Sequence, residues 1–487
     1  SSISIGNNAG HTDQSYNSIA IGGGSAFNNQ GINSIAIGTN AANLDQSANS
    51  IAIGNNAASI GQNNDSIAIG TNAAINNQNT NSIAIGINAA INNQNTNSIA
   101  IGNNAAHTNQ NIIAIAIGNN AGHTRQNKYA IALGYQAGMT DQSTNSIAIG
   151  YKAGDSGQNY QSVAIGSNAA LTNQNYESVA IGSIAGFQNQ NIRSIAIGTE
   201  AGKIDQSSNS ISIGSSAGKT EQKFESIAIG FNSGNTNQKE NSISIGSYAG
   251  YSEQDVSAIA IGGSSGYINQ KAQAISIGSF AGYNEQGINS IAIGTNSGNS
   301  NQNFESLAIG IGAAYNEQKN NSIAIGFNSA YQYQDSSSIA IGNKAGYNKQ
   351  SIYSIALGEN AGYSDQSYNS IAIGLNSAYS KQYQNSIAIG NKAGYQDQSK
   401  NAISIGLEAG KTNQGEYSIA IGYQAGYINQ NENSISINAS DISYNVDLSN
   451  ALYIKPIRNY NPIENNLQTA LLHYDISTNE IKENLNI

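Results

Sequence analysis

Isoleucine alternates with a small residue in a five-residue tract, Ser-Ile-Ala-Ile-Gly, that returns every sixteen residues from Ser2 to Asn438 with no insertion or deletion. Numbered from its Ser, the repeat has Ile, Val or Leu at positions 2 and 4 and Ala or Ser at positions 1 and 3. This is the two-residue period of a short strand with one large apolar face and one small face. Position 5 is Gly in all 27 complete repeats, from Gly6 to Gly422, and becomes Asn438 in the next. Excluding a Cβ at every copy marks a backbone that turns through positive φ. Positions 8 and 9 are Ala, Ser or Gly, and positions 10 to 16 are mostly polar. The pattern predicts, for each repeat, a strand, a tight turn, a shorter extended segment and a polar turn.

A period this strict makes each copy one coil stacked on the next, because one inserted residue would shift every later side chain out of its column. The expected fold is all-β, a parallel β-solenoid of about 27 coils over residues 1–438, followed by a small C-terminal β connector over 439–487. At about 4.8 Å per coil the rod would reach about 130 Å. The large face is expected to fill the coil with its Ile pair. The small Ala and Ser face would then admit a second copy of the chain, because one such column buries too little apolar surface to stand alone.

Composition sharpens this picture by exclusion. Acids outnumber bases 29 to 19 and only 10% of residues are charged. No basic stripe exists for a phosphate backbone to follow, so no nucleic-acid partner is expected. No apolar run has the length of a membrane helix, so no membrane insertion is expected. Cysteine is absent, which excludes disulfides. The chain opens inside the pattern at Ser2, leaving room for a preceding segment.

Gln occupies position 13 in all 27 complete repeats, including Gln14, Gln126, Gln238, Gln350 and Gln430. A column of amides at the coil spacing can donate to the next copy and accept from the last, so these residues are expected to form a structural ladder. Gly6, Gly118, Gly230, Gly342 and Gly422 are the corresponding turn glycines. Position 10 becomes mostly Tyr late in the chain, and Tyr315, Tyr331, Tyr347, Tyr363, Tyr379 and Tyr395 are six in succession. Stacked phenols stabilise a column, and their faces are also a candidate surface for stacking on sugar rings.

Chemistry beyond packing finds little support. His107 and His123 share a column one coil apart, with His11 remote, and lack a carboxylate neighbour to complete a metal site. Position 12 carries ten acids, among them Asp13, Asp45, Asp141 and Asp205, and the run Lys349, Asp365, Lys381, Asp397 alternates in sign as a solvated column would. No local pair of carboxylates breaks the repeat as glycan cleavage would need. The chain is therefore expected to be neither an enzyme nor a holder of a cofactor or metal.

The tract Ser-Ile-Ala-Ile-Gly followed two residues later by Asn-Ala-Gly resembles the head repeats of YadA-like trimeric adhesins. The resemblance covers Ser2 to Asn438 and implies a homotrimer of parallel β-rolls, with larger apolar residues filling each roll and small ones near the subunit contact. Beyond Asn438, the segment from Asn450 to Asn459, then Leu471 to Asp475 and Glu480-Ile481, resembles the connector that precedes a self-cleaving chaperone domain in phage and giant-virus fibres. Together these imply an extracellular fibre shaft of a viral or phage-like surface or tail fibre, offering a host glycan or receptor an attachment surface. The alternative is a cell-surface trimeric adhesin or extracellular filament.

Overall fold

A computed structural model of the chain describes residues 1–457, 471–475, 477, 478 and 480–484. Two parallel ladders run the length of a single β-solenoid. The first is formed by positions 2 to 4 of every repeat, from Ile3–Ile5 to Ile419–Gly422 and Ile435–Asn438. The second is formed by positions 11 to 13, from Thr12–Gln14 to Thr412–Gln414. Every pairing in both ladders joins a residue to its copy sixteen positions on, as Ile147 to Val163 and Gln238 to Gln254. The solenoid has about 28 coils, because the repeat that opens at Ser434 also closes. Among the described residues no helix occurs.

Five positions in each coil take positive φ, and this explains why Asn fills so many polar positions. In the coil from Ser82 to Asn97, positive φ values occur at Gly86 (133°), Asn88 (55°), Ala90 (48°), Asn93 (59°) and Asn97 (58°). Asn is the side-chain-bearing residue that enters this region most readily. Position 5 has a second constraint. At Gly230, with φ 127°, a Cβ would lie 2.6 Å from the carbonyl oxygen of Gly246 in the next coil, so neighbouring turns nest too closely for any side chain.

The interior reverses the expected assignment of faces. Ala148 is fully buried, whereas Ile147 and Ile149 on either side of it are only half-buried, and the same alternation runs along the ladder. The reason is width. A Cβ built on Gly154 at position 9 would lie 3.4 Å from the Ala148 Cβ and 2.8 Å from Gln158 Oε1. The two walls are therefore separated by one Ala and one amide, and an Ile pair cannot fit. The coil is filled by Ala and Ser at positions 1, 3 and 8, by Gly or Ala at position 9 and by the Gln side chain, while the Ile columns face out. Position 1 Ser also closes the preceding turn, as where Ser146 Oγ donates to the Ser143 carbonyl at 2.6 Å.

The first ladder continues past Asn438. Leu452–Lys455 pairs in parallel with Ile435–Asn438, after a final coil one residue longer than the rest. Val446 occupies position 13 of that coil and is fully buried above Gln430, replacing the amide with an apolar plug. Tyr444 fastens the cap by donating its hydroxyl to the carbonyls of Ile437 (3.0 Å) and Tyr453 (3.2 Å). Farther on, Leu471–Asp475 and Glu480–Asn484 form an antiparallel pair. Arg458 and Asn459 of the connector tract lie outside the described residues.

Candidate functional site

The Gln column is the most constrained part of the molecule, and its geometry shows a second role beside stacking. Gln238 Nε2 donates to Gln254 Oε1 at 3.2 Å in the next coil and to the Ile227 carbonyl at 2.8 Å across its own coil. Its Oε1 accepts from Gln222 Nε2 at 3.2 Å. Each amide thus ties the two ladders together within a coil and links that coil to its neighbours. Only Gln combines the reach to span the interior with both donor and acceptor.

The chain of amide-to-amide bonds is continuous from Gln30 to Gln430, at 3.0 to 3.3 Å, through Gln126 and Gln350. Gln14 does not join it. Its Nε2 donates to the Ile3 carbonyl at 3.0 Å, and Gln30 Oε1 is left without a partner. At the far end Gln430 donates to Ser434 and the Ile419 carbonyl, beneath Val446. Where position 3 is Ser, its hydroxyl adds a bond to the amide ten residues on, as Ser404 Oγ to Gln414 Oε1 at 2.6 Å. Two serines depart from this: Ser4 Oγ donates to the Ala9 carbonyl at 2.6 Å, and Ser436, whose residue ten positions on is Val446, has its Oγ buried without a partner.

The turn glycines Gly6, Gly118, Gly230 and Gly342 have φ between 127° and 134°, and Gly422, below the cap, has 104°. At each, a Cβ would overlap the carbonyl of the residue sixteen positions on.

Six successive tyrosines of position 10 form one continuous stack. Tyr315, Tyr331, Tyr347, Tyr363, Tyr379 and Tyr395 follow each other at ring centroids of 4.9, 5.2, 4.9, 4.7 and 5.1 Å, with interplanar angles of 4° to 11°. Stacking covers both faces of every interior ring, which leaves edges and hydroxyls toward solvent. A sugar cannot lie on those faces, so this column is a poor stacking platform. Burial, together with the neighbouring phenols, pushes the Tyr331 and Tyr363 hydroxyls above their ordinary pKa.

His107 and His123 also stack, at 4.8 Å and 14°, and burial holds both imidazoles below the ordinary value. Ring faces pressed together aim no nitrogen pair at a shared ion, and among the described residues no group of three or more His, Cys, Asp or Glu could hold a metal. In the position 12 column Arg125 pairs with Asp141 through two nitrogens, at 2.5 and 2.7 Å, and Lys381 reaches Asp397 at 3.6 Å. Asp45 and Asp205 instead accept from the Asn one coil earlier, at 2.7 and 2.8 Å. Glu200 lies between Lys203 and Lys219, each at 2.8 Å, and their hydrogen bonds pull its carboxyl down to about 2.

An apolar surface runs along the Ile face itself. Positions 2 and 4 run along the whole first ladder, and several position 4 residues are more than a third exposed, among them Leu133, Ile213, Ile341 and Ile421. Position 6 continues the same outward alternation with Ile87, Tyr151, Phe231, Ile311 and Phe327, all about half exposed. Sequence reasoning gave the two faces of this strand opposite duties. The informative signal was Gln at position 13, since an invariant long side chain pointing inward leaves room only for small residues opposite.

Residues 30–42 and 286–297 match the family description of the YadA head domain repeat, one stretch near the start of the rod and one past its middle. No curated protein and no solved structure matches the chain. The two matched stretches are copies of a unit that the register carries unbroken along the solenoid, so the repeat of this chain is similar to the YadA head repeat.

Proposed function

We propose that the chain is the shaft of a homotrimeric extracellular attachment fibre, with three parallel rods packed through their Ile faces. The observation that carries this reading is the apolar stripe of positions 2, 4 and 6. A contiguous apolar surface of this length on a soluble rod marks an association surface. Parallel copies share one coil rise, so they stay in step over their whole length. The likeness to YadA-like repeats, whose proteins are typically homotrimers, supports three copies and a surface location. The likeness of the Asn450–Asn459 connector to that of phage and giant-virus fibres favours a viral or phage-like fibre over a cell-surface adhesin. Sedimentation velocity and negative-stain microscopy test the reading. A species of three chain masses, seen as a rod of about 130 Å from 28 coils at about 4.8 Å each, is expected, and a stable single-chain rod would overturn it.

A further inference from the structure

We propose that an outer groove between residues 317 and 416, beside the second ladder, binds an extended neutral oligosaccharide of β-1,4-linked hexoses. The inference rests on the extracellular-fibre reading only in that its ligand comes from outside. Two cavities open along this face. One, of about 210 Å³, is lined by Glu317, Lys319, Tyr333, Asp335, Lys349 and Ser351. The other, of about 430 Å³, is lined by residues that include Ser351, Tyr368, Tyr383, Ser399, Lys400 and Glu416. The first lies between the columns of positions 12 and 14 and the second between those of positions 14 and 15, and the two meet at Ser351 as a stepped trough along the rod.

The aromatic groups of this trough differ from those of the stacked column. Tyr333, Tyr368 and Tyr383 stand at positions 12, 15 and 14 and are 50%, 42% and 49% exposed. Among the described residues none of the three stacks on another ring and each keeps about half of its surface in solvent, whereas Tyr347 and Tyr379 have both faces covered. Half-exposed phenols beside serine hydroxyls suit a pyranose, which offers an apolar C–H face and a rim of hydroxyls. The trough is lined by three acids, Glu317, Asp335 and Glu416, and three bases, Lys319, Lys349 and Lys400. Lys400 and Glu416 neutralise each other at 2.6 Å. This balance gives no net field to recognise an acidic or basic polymer and favours a neutral one. Coils repeat at about 4.8 Å along the rod, close to the rise per sugar of an extended β-1,4-linked chain. An α-1,4-linked chain coils and would leave the trough.

Isothermal titration of the intact chain with cellohexaose tests this, with maltohexaose as the shape control. Cellohexaose should bind at least about tenfold more tightly than maltohexaose, and Tyr333→Ala and Tyr383→Ala should each weaken it by about tenfold. Tyr347→Ala, in the stacked column, should leave the affinity unchanged. Absence of cellohexaose binding, or undiminished affinity in the Tyr333→Ala, Tyr383→Ala double variant, would overturn the proposal. Sedimentation of the same samples separates the two readings. An assembled rod that binds no cellohexaose defeats the groove alone, and a single-chain rod that binds it defeats the trimer alone.

Discussion

The coils from Ser66 to Thr124 and those from Tyr315 to Tyr395 share one interior and have different exteriors. The first stretch contains no Asp, Glu, Lys, Arg or Tyr. Its outer columns are amides: Asn72, Asn88 and Asn104 bond in succession at 3.1 Å, as do Asn77, Asn93 and Asn109 at 3.3 and 3.1 Å. The second stretch carries the tyrosine stack and charged side chains, among them Lys381, which reaches Asp397 just beyond it at 3.6 Å. Inside, Gln94 donates to Gln110 at 3.1 Å and Gln350 to Gln366 at 3.2 Å, with buried Ala at position 3 in both. The difference teaches that the fold is held by the inner half of each coil, and that the outer columns are free to diverge into surfaces of different chemistry.

Interior substitutions should therefore cost the same in both stretches and should have the largest effects. Ala100→Leu and Ala340→Leu press a branched side chain against the Gln wall and should each destabilise by about 1–3 kcal/mol or more. Gln94→Leu and Gln350→Leu remove the amides that reach the carbonyls of Ile83 and Ile339 at 2.7 and 2.8 Å and leave one ladder neighbour without its acceptor and the other without its donor, with a cost of about 1–3 kcal/mol. Hydrogen exchange should show the damage confined to adjacent coils in each case, because a solenoid couples nearest neighbours. A marked inequality between the two stretches would break the claim of a common interior.

Exterior substitutions should separate the stretches. Tyr347→Ala removes two stacked contacts and should cost about 1–2 kcal/mol, whereas Asn92→Ala, which removes one outer amide bond from Asn76 at 2.7 Å, should cost about 0.5 kcal/mol. Local exchange rates around each site measure both.

The smallest effect expected is one of pH, and it belongs to the amide-clad stretch. His107 and His123 have folded-state values below the ordinary 6.5, so the unfolded chain takes up protons first as pH falls. Stability near these two coils should be unchanged above about pH 6.5, should decline as pH drops below it, and should level off once both folded imidazoles are protonated. Exchange at the tyrosine-clad coils should not follow that profile. An equal decline in both stretches would mean that the carboxylates, and not the stacked imidazoles, set the response.

Much of this was legible in the residues. The unbroken register announced the parallel solenoid, and Gly at position 5 announced the positive φ seen at Gly230. The strand alternation also showed that one face is large and one small. It could not say which faces inward, because a two-residue period is symmetric between inside and outside. That choice is made by the distance to the opposite wall, a tertiary quantity. Ala148 opposite Gly154 and Gln158 leaves no space for Ile147. The tyrosine column shows a related limit. Consecutive Tyr at one position guarantees that the rings stack, and stacking removes the faces that a sugar needs. Tyr333 and Tyr383, scattered among Asn, Ser and Lys, gave no periodic signal. Val446 as the terminal plug was hidden because it stands where the repeat has ceased to be recognisable.

The orientation of the Ile face is the central claim, and sedimentation velocity paired with circular dichroism on an Ile229→Glu, Ile245→Glu variant tests it most directly. If these side chains face out and bind the chains together, the native protein sediments as an assembly, and the variant sediments as a lighter species with an unchanged β-sheet spectrum. Loss of the β-sheet spectrum in the variant would mean that Ile fills the coil and that the faces are reversed.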